Sequence, residues 1–226
     1  MRKSILLTLT LLIIMTIFSC AFAKTASEYF NEGIQLQNHG NYAKAIECFS
    51  NCIKLEPNHA KAYYYRGLSY RKQNQFDKAI DDYSAAIKLD PNYTDAYYNR
   101  GFAYAYQNQP DKAILDFSAT IRLDPNHALA YFNRGVAYHK LSQPDKAIEN
   151  FSAAIKLDPN YTNAYFTRGF TYYQLNQLDK AIEDYTVTIK LDSNYTNAYF
   201  ARGLSYEQLG NAEAAQKDFE MYEKLK

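Results

Sequence analysis

The chain has no excess of either charge: 25 lysines and arginines stand against 24 aspartates and glutamates. A balance so close to neutral lacks the electrostatic footprint of a general nucleic-acid binder. Four histidines are present, His39, His59, His127 and His139, and none forms a His-x-x-x-His pair. Cysteine is as sparse, and no third ligand recurs near Cys48 and Cys52, so no metal donor set is spelled out. The glycines are few and single, which rules out a glycine-rich phosphate loop. No nucleophile constellation is visible either. The chain is therefore expected to be no enzyme and to need no cofactor. The long apolar run from Ile5 to Phe18 is broken by three threonines and is shorter than the ~20 residues a bilayer span requires.

What that run does fit is a leader. Arg2 and Lys3 precede it, and Ala21-Phe22-Ala23 is a small-x-small cleavage site, so residues 1–23 read as a signal peptide and Lys24 as the mature start. Cleavage would remove two basic residues and no acidic ones, leaving 23 against 24. The expected destination is periplasmic or secreted. The alternative is a bacterial lipoprotein with Cys20 as the acylated residue after Ile17-Phe18-Ser19, anchored to a membrane but not spanning it. Cys48 and Cys52 share a face of one expected helix, with Cα atoms near the upper limit for a disulfide, and read as two small, partly buried thiols.

Against these absences stands one strong regularity. Gly33, Gly67, Gly101, Gly135, Gly169 and Gly203 are 34 residues apart. Tyr29, Tyr63, Tyr97, Tyr131, Tyr165 and Tyr199 lie four residues before them. Twelve residues after each glycine is an alanine, from Ala45 to Ala215, and sixteen after it an aromatic, from Phe49 to Phe219. A fixed period of this size means stacked supersecondary units that bury a core only against their neighbours. Each unit reads as two helices. Tyr63, Gly67 and Tyr70 share one helical face, as do Ala79, Ile80, Tyr83, Ala86 and Ile87. Pro110 and Pro144 mark starts of second helices. Leu89-Asp90-Pro91-Asn92 marks an end, because the residue before proline is pushed out of helical geometry. The recurrent glycine and alanine are expected to let the paired helices approach closely.

Two further columns change at the chain's ends. Isoleucine recurs at 46, 80, 114, 148, 182 and at 53, 87, 121, 155, 189, then becomes Gln216 and Glu223. This suggests isoleucines that pack on a following unit and a polar cap where none follows. Arg66, Arg100, Arg134, Arg168 and Arg202 form a column whose first member is Glu32. Each arginine is expected to reach the preceding unit, toward Glu56, Asp90, Asp124, Asp158 or Asp192. The carboxylate pairs Asp81-Asp82 and Glu183-Asp184 read as a solvated charged face. Three Asn-Tyr-Thr triplets, at 92, 160 and 194, are copies of one turn.

The pattern resembles the tetratricopeptide repeat, with tyrosine where that family usually has tryptophan at its fourth position. The resemblance implies an all-α fold, a right-handed α-α superhelix (solenoid) of six helix-turn-helix repeats at 26–59, 60–93, 94–127, 128–161, 162–195 and 196–226. It also implies that positions two, five, nine, twelve and thirteen of each first helix line a concave groove for a peptide or helix. Here position five reads Phe30, Tyr64, Tyr98, Phe132, Phe166 and Phe200. Position nine reads Ile34, Leu68, Phe102, Val136, Phe170 and Leu204. Arg71, Lys72, His139 and Lys140 make a basic rim, giving way to Gln174, Glu207 and Gln208. Phe30 and Ile34 replace the lysine and asparagine of chaperone-binding members, which argues against a carboxylate clamp. Whether the aromatic stripe is open to ligand or packed on itself is left open by the residues. The expectation is a monomeric, exported, non-catalytic scaffold for a protein or peptide, with no nucleic-acid partner and membrane contact only through a lipid on Cys20. A lipid-anchored envelope assembly factor, as pilotins are, and an accessory subunit of an enzyme on another chain are the alternatives.

Overall fold

The computed structural model describes residues 24–226. The expected signal peptide, its cleavage site and Cys20 lie outside the described residues. Among the described residues there are twelve α-helices and no strand. They fall into two compact units. The unit that runs to Pro91 holds α1 (Ala26–Asn38), α2 (Tyr42–Leu55), α3 (Ala60–Lys72) and α4 (Phe76–Leu89). The unit from Asn92 holds α5 (Thr94–Tyr106), α6 (Pro110–Leu123), α7 (Ala128–Lys140), α8 (Pro144–Leu157), α9 (Thr162–Gln174), α10 (Leu178–Leu191), α11 (Thr196–Gln208) and α12 (Ala212–Leu225). Within each unit every helix packs on the next. First helices of successive pairs also touch, as α1 does α3, α5 does α7 and α9 does α11.

Local chemistry sets the boundaries. Thr25 and Glu28 cap α1 reciprocally in a capping box. Asn41 and Asn211 cap α2 and α12 through their side chains. Pro110 and Pro144 open α6 and α8, where a missing N–H costs nothing. Helices α4, α6 and α8 stop two residues before Pro91, Pro125 and Pro159. The turn inside each pair needs one residue in the left-handed region. Gly40 and Gly210 supply it at the ends, both at φ 75°, and Asn74, Asn108, Ser142 and Asn176 supply it between, at φ 56–59°.

The 34-residue glycine column has a steric cause. A Cβ added to Gly135 would stand 2.7 Å from Phe151 Cε1 and 3.2 Å from the Ala147 carbonyl oxygen. The glycine thus lies flat against the ring sixteen residues on, and the small pair lets α7 and α8 close over it. These rings, Phe49, Tyr83, Phe117, Phe151 and Tyr185, are the largest fully buried side chains. Each contributes about 1.5–3 kcal/mol by burial. Ile53 packs against a buried cluster of Ala26, Cys52 and Ala62, the last from the following helix pair. Cys48 and Cys52 are buried free thiols, and burial pushes both thiols upward in pKa.

The arginine column corrects two expectations. Arg66 Nε and Nη2 donate to the two carboxylate oxygens of Asp82 at 2.8 and 2.7 Å. Arg168 does the same to Asp184, and Arg202 to Asp218. The carboxylate therefore comes from the arginine's own helix pair, sixteen residues on, and not from Glu56, Asp158 or Asp192. The preceding pair is reached, but through a hydroxyl: Arg66 Nη1 donates to Ser50 Oγ at 3.0 Å and Arg168 Nη1 to Ser152 Oγ at 2.8 Å. Asp82 and Asp184 are consequently buried, not solvated; their neighbours Asp81 and Glu183 are exposed. Consecutive helical residues do not share a face, so each adjacent carboxylate pair divides between core and water. Burial pushes the Asp82 and Asp184 carboxyls up, against the pull of the guanidinium. In the first pair both partners change together. Glu32 stands in the arginine column and receives Lys24 Nζ at 2.6 Å, while Cys48 stands in the aspartate column.

Candidate protein-binding surface

The residues of the expected stripe all sit on first helices, and packing divides them into two classes. Each position-five ring is held from two sides. One neighbour is the buried ring of its own second helix: Tyr98 lies 5.9 Å from Phe117, Phe132 5.7 Å from Phe151 and Phe166 5.7 Å from Tyr185. The other is the residue just before the next first helix. Phe30 lies 4.8 Å from His59, Tyr98 4.7 Å from His127, Phe132 4.9 Å from Tyr161 and Phe166 4.9 Å from Tyr195. Such ring pairs add about 0.5–1.5 kcal/mol each beyond area burial. Phe30, Tyr98, Phe132 and Phe166 are half-buried as a result, and Tyr64 is buried. His59 and His127 also accept the N–H of Ala62 and Ala130 through Nδ1, capping α3 and α7.

The pair α11–α12 packs its position-five ring differently. Tyr222 of α12 takes over the covering role at 5.0 Å from Phe200, yet Phe200 stays 42% exposed. At position nine, Ile34, Leu68, Phe102, Val136 and Leu204 are half-buried, whereas Phe170 is 39% exposed. Open aromatic surface on first helices thus lies at Tyr106 of α5, 65% exposed, and at Phe170 of α9 and Phe200 of α11. Between α9 and α11 lies a cavity of about 240 Å³. Phe166, Phe170 and Tyr173 of α9, Tyr185 of α10, and Asn197, Phe200, Ala201 and Leu204 of α11 line it. Sequence reasoning named four of these and missed Tyr173, Tyr185, Asn197 and Ala201. Tyr185 carried only a weak signal: with Tyr83 it is one of two tyrosines in a column that is phenylalanine at 49, 117, 151 and 219. Burial raises the Tyr185 phenol well above its ordinary pKa, and its hydroxyl has no hydrogen-bond partner. A larger space of about 510 Å³ is lined by Asn176 and Gln177 of a turn, Leu178, Asp179 and Lys180 at the start of α10, and Leu209.

The rim follows the charge trend of the sequence. Lys72 and Lys140 are exposed, and Arg71 and His139 are half-buried. The His139 ring nitrogen Nε2 meets Gln174 Oε1 at 2.7 Å, and the ring lies 6.0 Å from Phe170. Gln37, the first pair's position-twelve residue, donates to Tyr65 O and Ser69 Oγ and is thereby committed to packing.

Comparison with known proteins places the architecture. Models described as tetratricopeptide repeat match residues 26–59, 94–127, 128–161 and 196–225, and another matches 48–81 and 150–183. One described as TPR repeat matches 67–108 and 171–210. No relative among curated proteins matches the chain. Among solved structures, a crystal structure of MamA is similar at 32% identity and TM-score 0.69, covering 70% of this chain and 93% of its own. YrrB, a TPR protein with an unusual peptide-binding site, has 23% identity, TM-score 0.71 and coverage of 80% and 93%. PilF of Pseudomonas aeruginosa has 15% identity, TM-score 0.74 and coverage of 88% and 91%. With the 34-residue period, the helix pairs and these matches together, the chain belongs to the tetratricopeptide repeat family.

Proposed function

We propose that this protein is an exported, non-catalytic scaffold that binds a peptide or helix of a partner protein on its first-helix face. The observation that carries the reading is the aromatic surface left open on α9 and α11, with Phe170 and Phe200 exposed beside an apolar cavity. Phe30, Tyr98, Phe132 and Phe166 are held by internal ring packing, whereas Phe170 and Phe200 leave apolar area open beside the cavity. Open apolar area of this kind marks interaction sites. Family members are generally interaction scaffolds, and the peptide-binding site named for YrrB supports the same reading. Export rests on the leader-like residues 1–23; an intact mass of exported protein starting at Lys24 would support it, and acylated Cys20 would replace it with the lipoprotein.

The test of binding is partner capture by in-cell crosslinking with variants on the open and the packed parts of the stripe. Phe170→Ala and Phe200→Ala should weaken capture by about 2 kcal/mol or more with little change in melting temperature. Phe132→Ala should mainly lower the melting temperature, because its ring is held on both sides. Full capture by folded Phe170→Ala and Phe200→Ala would move the interface off this face.

A further inference from the structure

His59 and His127 stand just before α3 and α7, and tyrosine holds the same repeat position before α5, α9 and α11. These turns share one main-chain bond, in which the third residue on donates its N–H to the turn residue's carbonyl. Ala62 reaches His59 O at 2.9 Å, Ala130 His127 O at 3.0 Å, Ala164 Tyr161 O at 2.9 Å and Ala198 Tyr195 O at 2.9 Å. The histidine turns add a second acceptor for the same N–H, the ring Nδ1 at 3.1 Å in both. The tyrosine turns have no side-chain cap.

A main-chain N–H can only donate. Nδ1 is therefore the acceptor, and the proton of each neutral ring sits on Nε2. An imidazolium carries N–H on both nitrogens and has no acceptor to offer. It also places positive charge at a helix N-terminus, where the helix dipole opposes it. The other side of each ring responds in the opposite sense. His59 lies 4.8 Å from the Phe30 ring and His127 4.7 Å from the Tyr98 ring, inside the ~6 Å over which an aromatic face attracts a cation. Charging the imidazole thus weakens its hold on the helix that follows and strengthens its hold on the ring behind it.

We infer that His59 and His127 are pH-sensitive helix caps: neutral, each ties down the first turn of α3 or α7; charged, each releases that turn and stays on Phe30 or Tyr98, so that the junction becomes equivalent to a tyrosine turn. Histidine is the side chain that changes charge between pH 5 and 8, and both rings are half-buried, within reach of solvent. His59 meets Phe30 of α1 and the main chain of α3. The nearest phenol from α3 is Tyr65, on Phe30 at 5.6 Å, and Glu56 and Lys61 are the exposed charges beside it in the chain. His127 meets Tyr98 of α5, whose phenol oxygen accepts from Asn133 Nδ2 of α7 at 3.0 Å. Asp124 in the same turn accepts the Asn126 N–H at 3.0 Å. Cap loss and ring attraction oppose each other in overall stability, so the switch is read locally, at the first turns.

Amide exchange measured by NMR on the folded chain, normalised to intrinsic rates, tests this with the tyrosine turns as internal controls. At pH 7.5 Ala62 and Ala130 should be protected roughly fivefold more than Ala164 and Ala198, as a side-chain cap provides. At pH 5 that excess should vanish. Ring nitrogen shifts in the same samples should show Nδ1 of His59 and His127 without a proton at pH 7.5 and with one at pH 5. His59→Tyr and His127→Tyr, each a residue native to this column, should hold Ala62 and Ala130 at the level of the tyrosine turns at both pH values. A proton on Nδ1 of the neutral ring overturns the proposal, as does a ring still neutral at pH 5. So does an excess protection that is missing at pH 7.5, or that persists once the rings are charged.

Discussion

The helix pairs α7–α8 and α9–α10 are neighbouring copies of one 34-residue unit, and they solve the same packing problem with different chemistry. Arg134 Nε donates to the amide oxygen of Asn150 at 2.8 Å, where Arg168 Nε donates to the carboxylate of Asp184 at 2.8 Å. Both arginines also reach back to a serine of the pair before, at 3.0 and 2.8 Å. Asn150 turns its own amide nitrogen onto the Lys146 carbonyl at 2.8 Å. The Nε bond and the bond to serine persist without the second charge, while the Nη2 bond of the bidentate pair is made only to the carboxylate. Burial pushes the Asp184 carboxyl up against the pull of Arg168, while Asp184 holds the Arg168 guanidinium up; desolvation and ionic attraction oppose each other in this pair.

That comparison can be broken by removing one partner at a time. Asp184→Ala leaves the Arg168 cation under cover without its bidentate acceptor and should cost about 3–5 kcal/mol. Asn150→Ala removes one acceptor from Arg134 and should cost about 1.5–3 kcal/mol. Urea unfolding of the two variants side by side gives the difference. Equal losses would mean that the carboxylate acts only as a neutral acceptor. Asn150→Asp then sharpens the point: it should change stability by less than about 1 kcal/mol, since the new ion pair meets the same desolvation.

The second difference lies at the floor between the helices, where Phe151 in one pair corresponds to Tyr185 in the other. Tyr185→Phe should stabilise the unliganded protein by about 1 kcal/mol or more by deleting an unpaired buried hydroxyl, and Phe151→Tyr should destabilise it by a similar amount. Thermal melts of the reciprocal variants check this. Destabilisation by Tyr185→Phe would reveal a bond to the hydroxyl in the free state.

How legible this was differs by layer. The period, the helix pairs, the proline-set boundaries and the isoleucine contacts could be read because each is carried by one residue type at one repeat position. The arginine's carboxylate was misassigned for a physical reason. Asp82 and Asp184 look solvated beside Asp81 and Glu183, and only the rotation between consecutive helical residues buries one of each. The stripe was read as uniform because its residue types are uniform. Its openness depends on what covers each ring: the turn residues His59, His127, Tyr161 and Tyr195 stand at the far end of the same repeat and carry no sequence mark of contact. Tyr185 shares its column's tyrosine with Tyr83, and a hydroxyl's lack of a partner is a property of three-dimensional surroundings.

The smallest predicted effect concerns the turns of the same two pairs. Ser142 and Asn176 hold the left-handed position between the helices at φ 56° and 57°. A residue with a Cβ pays about 1–2 kcal/mol there, and asparagine lessens that by local hydrogen bonding of its short amide. Serine is the less suited of the two, and glycine, found at Gly40 and Gly210, has no such cost. Glycine does lose more entropy on folding, about 0.5–1 kcal/mol, which offsets part of the gain. Ser142→Gly should therefore stabilise by about 0.5–1 kcal/mol, and Asn176→Gly by only a few tenths. Because the two turns differ little in φ, any inequality between the variants reports on the side chain and not on the backbone. A lower melting temperature for Ser142→Gly would mean that the serine hydroxyl stabilises the turn by more than the left-handed backbone costs it.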